Sequence, residues 1–402
     1  SDRPQTVNST RPSTNPVSPF GVQALACPER GEAALTHTLA ARGITITFIP
    51  RGGVLRHMTI SDQGATIAPL HQAPWSPDET PAEAPPHQAW LAGDFLAAPF
   101  GPGPDGLHGL PANGDWRILP SATGTLRAIL DGSVHGATVI KEFSLQDDHP
   151  FVYQRHLFIG GTGAFPVANH AMVSLPHGGK LTFSRKRWWE TMADPLETTH
   201  GRSRLAYPHR AEDGAEFPAA DGGTVNLHRY PWGEAHEDFV AGIEDPASRL
   251  GWTAVVRPEE GDLFLSLRNP SQLPMTMLWH SNGGRNYAPW NGRHTGCLGV
   301  EEGAALSVLG LSSRETPDPL TAAGQPAQLT LDPHGTTEIR HILGAVHWPS
   351  GQSVAGVMLD DNVLTVTGDW GAERKLPILA SWLGAEAPAT VANPKPKVDW
   401  DL

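Results

Sequence analysis

The sequence predicts an all-β protein built from antiparallel strands, arranged as a sandwich or a barrel. Short runs in which apolar and polar residues alternate recur along the chain, and turn-forming Gly, Pro, Asn or Asp residues separate them. The 43 glycines and 38 prolines are spread over the whole length instead of gathering in a linker. Long amphipathic helices with caps are missing, which favours antiparallel sheets over a parallel α/β fold.

The predicted strands can be followed in chain order. The first, Gly43 to Ile49, alternates apolar and polar residues until Pro50-Arg51-Gly52-Gly53 ends the run. The others are Ala137 to Ile140, Phe151 to Ile159, Asp262 to Leu267, Pro274 to Trp279, Val354 to Leu359 and Val363 to Val366. The last two are joined by Asp360-Asp361-Asn362, a sequence typical of a hairpin turn.

Length and composition limit the domain organisation. The chain has 402 residues and is 39% hydrophobic, which is enough to bury a large core. This length is usual for two or three domains, but all-β folds are often larger, and no repeat or linker marks a boundary. We predict one β domain over residues 21–383. The Pro-rich, polar segments 1–20 and 384–402 are predicted to be an N-terminal arm and a C-terminal tail.

The charge balance argues against several partners. The chain has 42 acidic against 29 basic residues and a formal net charge of −13, which would repel a phosphate backbone, so no nucleic-acid partner is expected. No apolar run approaches the roughly 18 residues of a membrane span, and the chain does not open with a signal-peptide pattern. We expect no membrane association and favour a cytoplasmic location.

Cys27 and Cys297 have neither zinc-knuckle spacing nor the density of a disulfide scaffold, and one disulfide bridge between them stays open as an alternative. None of these features indicates an oligomeric state.

Common catalytic motifs are incomplete or absent. Gly101 to Gly106 matches the spacing of a dinucleotide-binding loop, but two of its residues are prolines without a backbone N–H, and no helix is predicted after it. His236-Glu237 begins like a zinc-protease motif, but Val240 stands where the second histidine belongs. The serine-hydrolase elbow GxSxG does not occur, and no closely spaced histidine pair indicates a metal. The sequence therefore predicts neither a cofactor nor a metal.

Four polar stretches remain within the strand-like sequence, at residues 91–116, 165–179, 236–244 and 289–303. They contain Pro99-Phe100-Gly101, His108-Gly109, Trp116, Asn169-His170 and the run from Gly296 to Glu301. The order of these motifs over residues 40–380 resembles the galactose mutarotase-like superfamily, which comprises aldose 1-epimerases and their hexose-phosphate relatives.

The resemblance implies a fold, an activity and a catalytic set. The fold is a large antiparallel β-supersandwich whose concave face holds a sugar. The activity is interconversion of sugar anomers by opening the pyranose ring, which needs one base and one acid. The resemblance assigns Glu301 as the base, His170 as the acid, and His108 as a hydrogen-bonding partner of the ring oxygen or a nearby hydroxyl.

Candidate sugar contacts come from two further stretches. Aldose epimerases carry an Asp-His-x-Phe element that binds sugar hydroxyls, and the resemblance carries its aspartate over to Asp238, although the histidine is displaced to His236. Amide and guanidinium groups between two tryptophans suit sugar hydroxyls and ring faces. The hexose-phosphate relatives have arginines near the His-Gly pair that this chain lacks, so a neutral sugar is expected. The candidates from the tryptophan-flanked region are Trp279, Asn282, Arg285, Trp290 and Arg293.

Each assignment has a structural alternative. In a chain with 19 histidines, His108 can be a hydrogen-bonded turn residue and His170 a core histidine, and most of the 13 tryptophans must belong to the core. Glu301-Glu302 can be an exposed strand end. If this segment is a strand, only one of the two carboxylates faces the sugar, and the resemblance selects Glu301.

Two other functions remain open at the level of sequence. One is a sugar-binding or sensing module that retains the cleft without turnover, which the displaced Asp-His element permits. The other is a polysaccharide lyase or glycoside-processing enzyme, since related supersandwich domains occur in such proteins. A lyase needs a base beside an anionic site, commonly with a tyrosine or arginine, and Tyr287 is the tyrosine in a suitable place.

Overall fold

A computed structural model describes residues 23–25 and 36–384 of the chain. The predicted arm at 1–20, Cys27 and all of the predicted tail except Gly384 lie outside the described residues. The limits of the single predicted domain therefore remain a prediction.

The described residues are mostly β-strands, as the alternating sequence pattern predicts. In chain order the strands are β1 (Gln23–Leu25), β2 (Thr36–Ala41), β3 (Ile44–Ile49), β4 (Val54–Asp62), β5 (Ala65–Ile67), β6 (Leu96–Ala97), β7 (Trp116–Leu119), β8 (Thr125–Leu130), β9 (Thr138–Ser144), β10 (Phe151–Ile159), β11 (Ala164–Phe165), β12 (Val167–Ser174), β13 (Gly179–Phe183), β14 (Lys186–Thr191), β15 (Arg210–Ala211), β16 (Phe217–Pro218), β17 (Thr224–Val225), β18 (Arg229–Tyr230), β19 (His236–Glu244), β20 (Gly251–Arg257), β21 (Asp262–Arg268), β22 (Met275–Asn282), β23 (Cys297–Ala304), β24 (Leu329–Thr330), β25 (Thr336–His347), β26 (Val354–Asp360), β27 (Val363–Gly368) and β28 (Glu373–Pro377).

Helical structure in the described part of the chain is confined to short turns. The one α-helix there, α1, spans only Gly109–Asn113. None of these helices is long and apolar enough to cross a membrane. The 3₁₀ turns are Pro77–Glu79, Pro86–Trp90, Gly214–Glu216, Leu306–Val308, Ser312–Arg314, Thr321–Ala323 and Ala380–Leu383.

The strands pair in antiparallel sheets. The largest has nine strands in the order β18-β13-β20-β21-β25-β10-β9-β8-β7, and the next has seven in the order β15-β14-β19-β22-β23-β12-β6. Strands β1 to β5 form a five-stranded meander and β26 to β28 a three-stranded one, while β11-β24 and β16-β17 are small ribbons. The prediction of a large, all-β antiparallel architecture is confirmed, and all seven strands predicted from sequence are present with small shifts at their ends.

The seven-stranded sheet has two different faces. Its inner face packs towards the nine-stranded sheet, so that Leu278 and Val300 share one core cluster with Phe143 and Phe158. Its outer face carries a second cluster, which includes Met277 and is covered by loops rather than by another large sheet. A third cluster joins the far side of the nine-stranded sheet to β26–β28. The outer face is thus the surface on which loops can form a binding site.

Candidate functional site

The candidate catalytic pair sits side by side on two central strands of the seven-stranded sheet. In the β12–β23 register His170 lies directly opposite Glu301, so both side chains project from the outer face. The His170 Nε2 and Glu301 Oε1 atoms are 3.2 Å apart. Both residues are buried, at 5% and 1% exposure. Two groups that lie 131 positions apart in the chain are therefore in direct contact.

A cavity of about 510 Å³ opens above this pair. The segments on both sides of β6, together with those that follow β14, connect β22 to β23 and follow β23, supply most of its wall. Its lining is mainly apolar and aromatic, with a few polar groups, which is the usual composition of a small-molecule site. The lining residues are His87, Gln88, Leu91, Phe100, Gly101, Pro102, Leu107, His108, Pro166, His170, Met192, Leu196, Phe239, Trp279, Arg285, Trp290, Glu301, Ser307 and Val308.

Strand geometry separates Glu301 from its neighbour Glu302. Successive side chains of β23 point to opposite faces, so Glu301 reaches the cavity and Glu302 points into the inner face. Gly299, two residues before Glu301, leaves room for that carboxylate. A Cβ atom at Gly299 would lie 2.5 Å from Glu301 Oε1 and 2.9 Å from the Trp279 Cβ, so a larger residue there would displace both side chains.

The His170 ring is fixed by stacking. Phe95 lies parallel to it, with ring centroids 4.4 Å apart and an interplanar angle of 17°. The ring of Trp279 meets His170 edge-on at 5.7 Å. These contacts leave Nε2 directed to Glu301, while the Glu301 Oε2 atom is buried without a protein hydrogen-bond partner. A buried carboxylate oxygen without a donor is a place for a ligand hydroxyl or a water molecule.

His108 enters the cavity from a turn rather than from a strand. Its backbone is left-handed, with φ of 68°, and it directly precedes α1. The Gly101 N–H donates to His108 Nδ1 at 3.3 Å, which assigns the proton of a neutral imidazole to Nε2. The ring lies 5.2 Å from that of His170. His108 is therefore arranged as a neutral hydrogen-bond donor beside the candidate catalytic pair.

Burial controls the protonation of these groups. Burial raises the pKa of Glu301 well above its ordinary value. Burial, with a smaller contribution from His87, lowers the pKa of His170 to about 3. Burial and nearby positive groups also lower the pKa of His108 well below its ordinary value. Burial therefore favours the uncharged form of each group: the protonated form of the Glu301 carboxyl, and neutral imidazoles at His170 and His108.

Two tryptophans and an arginine form another part of the wall. Trp279 and Trp290 meet edge-on at 6.1 Å, and the Arg285 guanidinium lies 4.4 Å from the centroid of the Trp290 ring. The Arg285 Nε donates to Glu197 Oε1 at 2.8 Å. The charge of Arg285 is thus already compensated within the protein, while the aromatic faces are suited to the C–H face of a sugar.

Three residues predicted to contact the sugar do not line the cavity. Asp238 projects from the inner face and accepts hydrogen bonds from the Arg204 and Leu205 backbone N–H groups and from the Tyr207 hydroxyl. Burial outweighs these bonds and raises its pKa to about 6. The structure gives Asp238 the contacts of a structural carboxylate that anchors the 204–207 segment.

Asn282 and Arg293 are also engaged elsewhere. The Asn282 side chain donates to the Gly233 carbonyl and accepts from the Gly296 N–H, so it holds two loops together. Arg293 pairs with Glu79 at 2.5 Å on the surface. Both residues belong to or adjoin the loop that carries Arg285 and Trp290, but their side chains do not reach the cavity.

Two residues near the site are not among those predicted from the sequence. Glu237, the neighbour of Asp238, projects from the outer face and accepts hydrogen bonds from Trp279 Nε1 at 3.0 Å and from the Ser281 hydroxyl at 2.8 Å. Alternate residues of a strand share a face, so the two-residue spacing of Glu237 and Phe239 would have indicated that both project from the same face. His87 lines the cavity from a 3₁₀ turn in a proline-rich stretch, where no local pattern distinguishes it.

Solved structures of the same architecture come from mutarotase-related proteins. A galactose mutarotase related enzyme of Lactobacillus acidophilus has a TM-score of 0.50 and 12% identity, over 78% of this chain and 98% of that one. A candidate aldose 1-epimerase of Escherichia coli K12 has 0.51 and 13%, over 77% and 98%. A candidate mutarotase of Salmonella typhimurium has 0.52 and 10%, over 81% and 97%.

These structures share their fold with this chain at very low sequence identity. The chain therefore has the galactose mutarotase-like fold, and the resemblance drawn from its motifs is confirmed at the level of fold. No protein-family model matches the chain, and no curated protein matches it in sequence.

Proposed function

We propose that the protein binds a neutral aldose in the cavity and interconverts its anomers by acid/base opening of the sugar ring. The observation that carries this proposal is the contact between Glu301 and His170, two buried groups 3.2 Å apart at the base of an aromatic-lined cavity. Ring opening needs a base at the anomeric hydroxyl and an acid at the ring oxygen. These two oxygens share one carbon atom, so adjacent catalytic groups suit them.

The Glu301–His170 pair provides both the base and the acid, and it needs only one proton to do so. In its reactive form this proton moves from the Glu301 carboxyl to His170 Nε2, giving a carboxylate beside an imidazolium. Glu301 takes the anomeric hydroxyl proton as the bond between the anomeric carbon and the ring oxygen breaks, and His170 gives its proton to that ring oxygen. The anomeric carbon becomes a carbonyl. Rotation and the reverse steps close the ring on the other face and restore the pair.

The surrounding residues orient the sugar. His108 donates from Nε2 to the ring oxygen or an adjacent hydroxyl and, because its pKa is lowered, remains a neutral donor instead of competing as an acid. Trp279 and Trp290 offer apolar faces to the ring. Arg285, whose guanidinium is stacked on Trp290 and paired with Glu197, is placed to donate a remaining N–H to a hydroxyl.

Sugar binding without turnover is the second candidate, and one observation favours it. The raised pKa of Glu301 opposes the carboxylate form that catalysis requires. A protonated Glu301 can still bind sugar hydroxyls as a donor and an acceptor. A lyase has less support, because no tyrosine is present among the described residues that line the cavity and Tyr287 instead donates to Glu197 outside it.

Polarimetry tests the proposal directly. Freshly dissolved α-glucose and α-galactose are followed with and without the full-length protein, and the spontaneous rate is subtracted. We expect faster equilibration of at least one of the two sugars, with no product other than the other anomer. Sugar binding by calorimetry without faster equilibration would support the binding module instead, and unsaturated products absorbing in the ultraviolet would indicate a lyase.

A further inference from the structure

A second cluster of chemically active side chains lies behind the aromatic wall of the cavity. His71, His294 and Cys297 each contribute one ligand atom, and these atoms lie within 4.8 Å of one another. All three residues are buried, with exposures of 8%, 1% and 0%. They come from three segments: the loop after β5, the loop between β22 and β23, and the first residue of β23. This separation explains why no local spacing motif indicates the cluster.

Both imidazoles have a nitrogen that the protein leaves without a partner. The Nε2 atoms of His71 and His294 are buried and lack hydrogen bonds, and the Cys297 thiol is free. Buried polar nitrogens are normally satisfied, so two of them beside a thiol are available to bind a ligand. The His71 and His294 rings are edge-on, with centroids 4.7 Å apart and an angle of 81°.

A carboxylate relay fixes the proton on His294. Ser281 donates its hydroxyl to Glu237 at 2.8 Å, so its oxygen accepts from His294 Nδ1 at 2.7 Å. This arrangement places the His294 proton on Nδ1 and leaves a lone pair on Nε2. Metal-bound histidines are commonly oriented by such a hydrogen bond from the second ring nitrogen. Trp279, stacked on His294 at 5.5 Å, further restrains the ring.

We propose that His71, His294 and Cys297 form a binding site for a thiophilic divalent transition metal, of which Zn²⁺ is representative. Imidazole nitrogen and thiolate sulfur are both ligands that zinc accepts, and three such ligands leave a fourth coordination position open. Zinc bonds to nitrogen and sulfur are about 2.0 to 2.3 Å long, so the ligand atoms must close to about 3.5 Å apart. Binding converts the thiol to a metal-bound thiolate and releases one proton to the solvent.

The electrostatics around the three side chains are compatible with a bound cation. Burial, with Glu237 and Glu301 nearby, raises the pKa of Cys297 well above its ordinary value, while burial lowers the pKa of His71 to about 4. The imidazoles are thus already in the neutral form that binds metal, and the negative charge of ionised Glu237, which opposes a bare thiolate, favours a bound cation. Arg285 opposes it, but its charge is paired with Glu197.

The bound metal would connect the walls of the sugar cavity. The loop that carries His294 also carries Arg285 and Trp290, and the strand that begins at Cys297 carries Glu301. A metal bridging these segments and the His71 loop would hold the aromatic wall in place relative to the catalytic pair. Its role in this arrangement is structural, and it does not depend on the sugar chemistry.

The two cysteines allow a decisive test. Full-length, untagged Cys27→Ser protein is treated with a chelator, dialysed and titrated with Co²⁺, and its ultraviolet absorption is recorded. Only Cys297 can supply a thiolate in this variant. We expect one equivalent of Co²⁺ to produce a thiolate-to-metal charge-transfer band, one equivalent of Zn²⁺ to displace it, and Zn²⁺ to raise the melting temperature.

Variants then assign the ligands. The Cys27→Ser/Cys297→Ser protein should lose the band and the melting shift, and Ser281→Ala in the Cys27→Ser background should bind Zn²⁺ about 10- to 100-fold more weakly because His294 loses its orienting bond. If Cys27→Ser binds no Co²⁺, or binds it without the charge-transfer band, the proposal is overturned. That result needs no folded Cys297 variant, and it leaves the mutarotase proposal untouched.

Discussion

Glu301 and Glu302 are neighbours on β23 and equally buried, but the two faces of the sheet treat their carboxylates differently. On the inner face, Glu302 is paired with Arg268 at 2.9 Å and accepts hydrogen bonds from the hydroxyls of Thr253, Ser266 and Thr276. On the outer face, Glu301 has His170 as its partner, and its Oε2 atom has none.

This difference in partners distinguishes a structural carboxylate from a functional one in this fold. Burying a charged group is unfavourable unless partners compensate it, and Glu302 has the full set of partners that burial requires. Glu301 is equally buried without them, and its pKa rises accordingly. An uncompensated carboxyl at the edge of a cavity is best explained by a ligand that completes it.

The largest expected effect is on the outer face. Glu301→Gln keeps the size of the side chain but removes the base, so the mutarotation rate should fall about 100- to 10,000-fold while the variant stays folded. Polarimetry measures the rate, and circular dichroism controls for folding. A folded Glu301→Gln protein with full activity would show that the base lies elsewhere.

The matched change on the inner face should affect stability instead. Glu302→Gln removes the charge opposite Arg268 in a dry interior, and breaking such a pair from one side typically costs about 3 to 5 kcal/mol, reduced here because Arg268 also contacts Glu244. Urea unfolding measures the loss. Below its unfolding transition the variant should retain mutarotase activity, and a stable but inactive Glu302→Gln protein would reverse the assignment of the two faces.

Much of the fold follows from local pattern. Runs such as Phe151–Ile159 are strands because apolar and β-branched residues repeat between turn residues, and the alternation on β23 places Glu301 and Glu302 on opposite faces. The register between distant strands is not encoded locally. Asp238 and Glu237 show the consequence, since which of them projects from the outer face of the sheet depends on how β19 pairs with β22.

The site is less predictable than the fold for the same reason. His170, Glu301 and Trp279 lie on paired strands, so one pairing pattern brings them together. His87 and Arg285 arrive on loops whose paths are fixed by tertiary contacts rather than by their own sequence. The hydrogen bonds that engage Asn282 and Arg293 elsewhere also involve residues distant in the chain, such as Gly233 and Glu79.

A smaller effect should come from the charge of the ligand. Arg285 is the one Lys or Arg among the described residues that line the cavity, and Glu197 already compensates it. A hexose 6-phosphate would bring two negative charges into a largely apolar cavity without a free cation to receive them, so the neutral hexose should bind at least about tenfold more tightly. Calorimetry with glucose and glucose 6-phosphate measures this ratio, and tighter binding of the phosphate would contradict the assignment of Arg285.

The smallest expected effect is a near absence of pH dependence around neutrality. The shared proton of the Glu301–His170 pair is retained because burial raises the pKa of the carboxyl, and a second proton binds only as the pH falls towards the His170 pKa of about 3. Between the His170 pKa and the raised pKa of the Glu301 carboxyl the pair keeps one proton, so kcat/KM, which reports the free enzyme, should be nearly independent of pH over that range. An independent histidine acid of ordinary pKa would instead lose activity as the pH rises through about 6.5. Polarimetric rates at constant ionic strength distinguish the two, and a decline with a midpoint near 6.5 would mean that His170 titrates separately from Glu301.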